Sequence, residues 1–203
     1  MFQNVPVRAP PIHRKSTMSS GTTSEEPPAK KAKATGWEDH TLNIAEAIMK
    51  ADEGKFLTDI VTSPIQTLQG IGPKSEKVLQ VLKLKTVEDL AKYKYFHMAR
   101  ALKTLSEVEE KRLVGSVMNV DKAVDKEWES KTLKEIVAAP TDAIEGLSVG
   151  GQELLKELGV KTVGDLAEFK YCRWAEAIVE AAKYEQTKTA AERKTEAALK
   201  KLA

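Results

Sequence analysis

The sequence predicts an all-α protein built from two tandem copies of one small multi-helix unit. Three observations carry this: an internal repeat without gaps, apolar residues at helical spacing within each copy, and proline and glycine at the breaks. Shifting the 203-residue chain by 76 positions aligns residues 41–109 with 117–185, and 23 of the 69 pairs are identical. Chance pairing at ordinary composition gives roughly one identity in fifteen, so the chain contains a duplication. The identities run from Asn43/Asn119 to Glu109/Glu185, and like-for-like exchanges such as Ile71/Leu147 and Leu84/Val160 fill many gaps between them.

In the first copy, Leu57, Ile60 and Val61 form a short helical stripe that stops before Pro64, because the residue preceding proline avoids helical backbone. Pro64 suits the first turn of a new short helix carrying Leu68. A glycine turn follows at Gly70, and Val78, Leu79 and Leu82 give the next stripe. Thr86 with Asp89, and Thr162 with Asp165, fit helix starts in which a hydroxyl accepts a free backbone N–H. Tyr95, Met98, Ala99 and Leu102 open a longer closing helix, echoed by Tyr171, Trp174, Ala175 and Ile178. Tyr95 and Tyr171 each follow a lysine. This pairing suits base stacking, or more simply a core ring with its hydroxyl at the rim.

These spacings divide the chain into a basic tail at 1–36, a first unit at 37–112, a second at 113–186 and a basic helical extension at 187–203. The tail is rich in Pro, Ser, Thr and Gly, a composition that cannot bury enough surface to offset its ordering entropy, so it is expected to be disordered. Within it, Lys30, Lys31 and Lys33 look like a short nuclear import signal, or equally a solvated basic tail. The first 24 residues hold Arg8, Arg14 and Lys15 and no acid, as an organelle transit peptide would, but their three prolines disfavour an amphipathic helix. The expected location is nuclear or cytoplasmic. No apolar run approaches the ~20 residues that cross a bilayer, so no membrane partner is expected. Cys172 is the only cysteine, which excludes an internal disulfide and a cysteine-based zinc site.

The centre of the first copy reads Leu68-Gln69-Gly70-Ile71-Gly72-Pro73-Lys74. It resembles the helix-hairpin-helix family, whose motif sets a Gly-apolar-Gly turn between two short helices; the likeness covers about 20 residues directly. The resemblance implies a turn that grips a backbone phosphate of DNA or RNA without reading sequence, with Gly70, Ile71, Gly72, Lys74 and Lys77 as the contacting residues. The physics agrees, since glycines leave backbone uncovered and a helix start aims N–H groups and a positive dipole end outward. The alternative is a hairpin that only packs two helices together.

The second turn departs from the motif. It reads Gly146-Leu147-Ser148-Val149-Gly150-Gly151, with Ser148 replacing the second glycine and Gly150 the lysine. Gly146, Gly150 and Gly151 form this second hairpin, and Gly150 and Gly151 are expected to leave backbone exposed with no cation nearby. Residues 57–109 carry eight Lys/Arg and six acids, whereas 133–185 carry six and ten. An acidic surface repels phosphate, so the second unit is expected to be structural or to dock a protein. His13, His40 and His97 are scattered, and no nucleophile–base order, metal-ligand spacing or phosphate loop of the P-loop kind appears. The expectation is a non-enzymatic binding protein with no catalytic residue, cofactor, metal or small-molecule substrate. Its partners are nucleic acid through the first unit, or proteins through one or both units as a scaffold.

Overall fold

The computed structural model describes residues 42–202, all of which fall in one compact unit. The basic tail, with Lys30, Lys31 and Lys33, lies outside the described residues. Those described are helical, with nine α-helices, three short 3-10 helices and only isolated β-bridges. In order, the α-helices are α1 (Leu57–Thr62), α2 (Pro73–Val81), α3 (Val87–Ala91), α4 (Lys94–Ser106), α5 (Leu133–Ala138), α6 (Val149–Glu157), α7 (Val163–Ala167), α8 (Lys170–Ala182) and α9 (Ala190–Leu202). The first four recur as α5–α8 at an offset of 76 residues.

Local chemistry sets the boundaries. Helix α1 ends where Ser63 turns extended before Pro64, and a 3-10 turn at Ile65–Thr67 takes the place of the expected helix carrying Leu68. Leu68 instead pairs through an isolated bridge with Ile48, as Ile144 does with Val124. Thr86 accepts from the Asp89 N–H at 3.1 Å while the Asp89 carboxylate accepts from the Thr86 N–H at 2.9 Å. Thr162 and Asp165 repeat this reciprocal cap before α7. The chain leaves α2 through Lys83 in the left-handed region, φ 63°, where the second copy has Gly159 at φ 82°.

The packing does not follow the sequence repeat. Helix α4, which closes the first copy, packs on α5 and α7 of the second, and α8 packs on α1 and α3 of the first. Residues of both copies therefore form one continuous core, with Phe96, Ala99 and Leu102 of α4 joined to Cys172, Ala175 and Ile178 of α8. The 112/113 division marks the repeat in sequence but separates no core. The exchange is tied at both ends. The Glu185 carboxylate, just beyond α8, accepts from the N–H groups of Leu57 and Thr58 at 2.7 and 2.9 Å, where α1 begins. Glu109, 76 residues earlier, does the same for Leu133 and Lys134 at 2.7 and 3.1 Å. A carboxylate at a helix start satisfies orphan donors and meets the positive dipole end. Helix α9 has no buried residue and extends as an exposed arm. No helix among the described residues is long and apolar enough to cross a membrane.

Candidate nucleic-acid interface at the first glycine turn

The two glycine turns occupy equivalent places and differ in chemistry. Gly70 and Gly146 take φ of 93° and 81°, values that L side chains rarely adopt, and this bends each chain into its next helix. Against each turn lies the Lys-Tyr pair of the opposite copy. The Tyr171 hydroxyl donates to the Gly70 carbonyl at 2.8 Å, and the Tyr95 hydroxyl donates to the Gly146 carbonyl. Lys170 lies over the Tyr171 ring at 4.9 Å and the Trp174 ring at 5.2 Å, and Lys94 lies over Tyr95 at 4.6 Å. These tyrosines are half-buried, packed edge-on against Tyr93 and Phe169. Their faces hold lysines and their hydroxyls hold the turns, which is a structural use.

The first turn is open. Gly72 stands at the N-cap of α2, where a glycine offers no side chain to cap the helix, and Pro73 occupies the first helical position. A Cβ on Gly72 would meet nothing within 4 Å, while one on Gly70 would stand 3.0 Å from the Tyr171 hydroxyl and 3.6 Å from Lys170 Nζ. Gly70, Gly72, Lys74 and Lys77 are exposed, the Lys74 side chain at 80%, so the turn is not covered by the second copy. Ile71 is buried in the core, so only its backbone faces the turn. Lys74 Nζ lies 3.5 Å from Glu157 at the end of α6. Half-exposed pairs of this kind contribute little and exchange readily.

The second turn is equally exposed, but its helix start is capped and acids lie beside it. Ser148, at the position equivalent to Gly72, caps α6 by accepting from the Gly151 N–H at 3.2 Å. Gly151 is buried, with a Cβ position 3.0 Å from Leu147, so the expectation of exposed backbone there is corrected: Gly150 is exposed and Gly151 is not. The expected absence of a cation is corrected as well. Lys94 Nζ lies 3.9 Å from the Cβ position of Gly146, a neighbour supplied by the opposite copy and invisible to local reading. Acids surround it. The hydrogen bond and charge of Asp125, with Glu129 beyond, push the Glu145 carboxyl above its ordinary range while Lys94 pulls the other way.

No family model, curated protein or solved structure matches this chain. Gln69 and Met49 of the first turn stand where the second has Glu145 and Asp125, and Lys77 stands where it has Glu153. The first turn thus has more lysines, although Glu76 and Glu157 also stand there, and the second has more acids, although Lys94 reaches it. Sequence reasoning singled out the Lys170–Tyr171 pair only for base stacking; it missed that the helix exchange brings Lys170 to Gly70, and it missed the capping role of Ser148. The latter was legible in principle, since a serine three residues before a helical N–H is a capping signal.

Among the described residues no group of three or more His, Cys, Asp or Glu side chains could hold a metal ion. His97 contacts the Ala91 carbonyl at 2.7 Å and stands 3.7 Å from Glu176, which is a packing role. Burial of Cys172 pushes its thiol well above the ordinary range, so it is an inert core residue.

Proposed function

We propose that this chain is a non-enzymatic, nucleic-acid-associated protein that holds a backbone phosphate at its first glycine turn, as the resemblance of Leu68–Lys74 to helix-hairpin-helix proteins implies. The carrying observation is the contrast between the turns. Gly72 leaves the start of α2 without a side-chain cap, beside Lys74, Lys77 and Lys170. In the second turn Ser148 uses the equivalent N–H, Gly150 and Glu153 replace Lys74 and Lys77, and Glu145 lies beside Asp125. An uncapped helix start flanked by lysines attracts an oxyanion; a capped one flanked by carboxylates does not. Contact with phosphate alone carries no sequence information, so binding is non-specific and weakens steeply with salt.

Fluorescence anisotropy with labelled duplex and single-stranded probes at low salt tests this. Lys74→Glu, combined with removal of residues 1–36 so that the basic tail does not mask the effect, is expected to abolish measurable binding. Unchanged affinity for both DNA and RNA would falsify the proposal. A green-fluorescent fusion with Lys30, Lys31 and Lys33 replaced by Gln tests nuclear import, with loss of nuclear signal expected.

A second reading, a scaffold that docks proteins, is favoured by the segment that joins the copies, where Leu113 and Val114 of the linker and Val117 and Met118 at the start of the second copy are all largely exposed. Protein partners recovered in stoichiometric amounts after nuclease treatment, and lost when these four residues become Ser, would favour it.

A further inference from the structure

The contact between the two copies combines a symmetric part with a polar one. The symmetric part is Tyr95 to Gly146 with Tyr171 to Gly70, and Glu109 to α5 with Glu185 to α1. The same tyrosine, glycine and glutamate fill both places and the helix starts offer backbone N–H groups, so these bonds would form equally if a first copy met another first copy. They set the geometry and select nothing.

Selection needs contacts that differ between the copies: the buried Phe96/Cys172 position is one, and the charged contacts are the others. Arg100 of α4 and Glu176 of α8 are equivalent positions, 76 residues apart, and they meet in a bidentate pair with one arm at 2.6 Å. Two equivalent residues in contact must lie on the pseudo-two-fold axis, where each would face its own twin in a like pair. Lys103 of α4 reaches Glu168 at 2.7 Å, and the positions equivalent to these are Val179 and Lys92.

We propose that this interface is a recognition surface of fixed polarity: a first copy fits a second copy and rejects another of its own kind. Pairing two first copies sets Arg100 against Arg100, His97 beside that arginine, and Lys103 against Lys92. Pairing two second copies sets Glu176 against Glu176 and leaves Glu168 facing Val179. Arg173, at the position of His97, partly offsets the latter case, so first–first pairing is excluded more strongly. Like charges brought together at an interface suppress the wrong partner more than opposite charges strengthen the right one. Arg100 and Glu176 are partly exposed, at 43% and 30%, so the discrimination weakens as salt screens it. The partner that fits either half is the opposite half, from the same chain or from a second copy of this protein.

The test uses the full-length chain with a protease recognition sequence inserted at Gly115, an exposed linker residue. The protein is purified folded, cut there, brought to equilibrium in sub-denaturing urea and counted by native mass spectrometry. Hetero pairs are expected to exceed the statistical ratio over like pairs by at least about tenfold, a difference of roughly 1.4 kcal/mol. First–first pairs should be the rarest species, and molar salt should reduce the excess. Arg100→Glu alone should lower the hetero fraction, and Arg100→Glu with Glu176→Arg should restore it. Like pairs at their statistical share, pieces that stay monomeric, or a single variant indistinguishable from the parent would each overturn the proposal.

Discussion

The hydroxyl of Tyr171 donates to the carbonyl of Gly70, 101 residues earlier, at 2.8 Å, and Tyr95 repeats this relationship with Gly146. One atom of each closing helix thus fixes the glycine turn of the opposite copy. Tyr171→Phe keeps the ring and its edge contact with Phe169 and removes only this bond. Because the bond is exposed, the expected loss is about 0.5–1 kcal/mol. Urea denaturation should show a lower midpoint with an unchanged m-value.

The carboxylates that cap α1 and α5 from across the interface matter more. Glu185→Ala strips two backbone N–H groups of their acceptor and removes a negative charge from a helix start. Each of Glu185→Ala and Glu109→Ala should cost about 1–2 kcal/mol. The sites are distinct, so the double variant should lose close to the sum. Both curves should stay single and cooperative because the core is shared. A separate early transition would show halves that unfold independently.

Much of this was legible in the sequence, for identifiable reasons. Helix spacing, Pro64 and the Thr86/Asp89 cap depend on neighbours within a few residues, and those signals are local. The helix exchange was not legible. Periodicity shows that Ala99 and Leu102 lie on an apolar face, but it does not say which copy covers that face. The site inherits this limit. Gly70, Gly72 and Lys74 could be read directly, whereas Lys170 arrives from a helix about 100 residues away. The apolar character of Ile71, read as part of a gripping turn, belongs to the core.

The two glycines of the first turn should respond differently to substitution. Gly70→Ala forces a side chain into φ 93° with its Cβ 3.0 Å from the Tyr171 hydroxyl, at an expected cost of about 1–3 kcal/mol. Gly72→Ser meets no obstacle and supplies the cap that Ser148 gives α6. It should stabilise the fold by roughly 0.3 kcal/mol while weakening binding of a nucleic-acid probe, because the hydroxyl takes the N–H a phosphate would use. Gain of stability with undiminished binding would sink the phosphate role of that helix start.

Stability should depend on pH in two opposing ways. Burial raises the Asp89 and Asp165 carboxyls, but the N–H groups of Lys85 and Thr86, and of Thr162 and Lys161, with the two threonine hydroxyls, outweigh it and leave both below the ordinary value. Such groups contribute stability that is present above the unfolded value of about 3.9 and lost as pH falls through the lower folded value. Glu145 is held above its ordinary value by Asp125, so its contribution is present below about 4.3 and lost as pH rises through the folded value. Glu145→Gln should therefore flatten the stability change on the neutral side and leave the acid limb intact. Denaturant midpoints measured from pH 2.5 to 7 decide this.

Lys170 and Lys94 form a matched pair for testing the binding surface. Each lies over the tyrosine that follows it, and each approaches a glycine turn of the opposite copy. Replacing either with Gln should cost about 0.5–1 kcal/mol from lost cation–π contact, more at Lys170, which lies over Trp174 as well as Tyr171. Their surroundings differ: Lys170 adjoins the uncapped turn that carries Lys74, and Lys94 adjoins Glu145 and Asp125. Lys170→Gln should weaken nucleic-acid binding and reduce the slope of log K against log salt by about one, whereas Lys94→Gln should leave both unchanged. Equal effects of the two variants would show that binding follows overall charge and not the first turn. A Lys74→Glu effect without a Lys170→Gln effect would confine the phosphate site to the first copy's own residues.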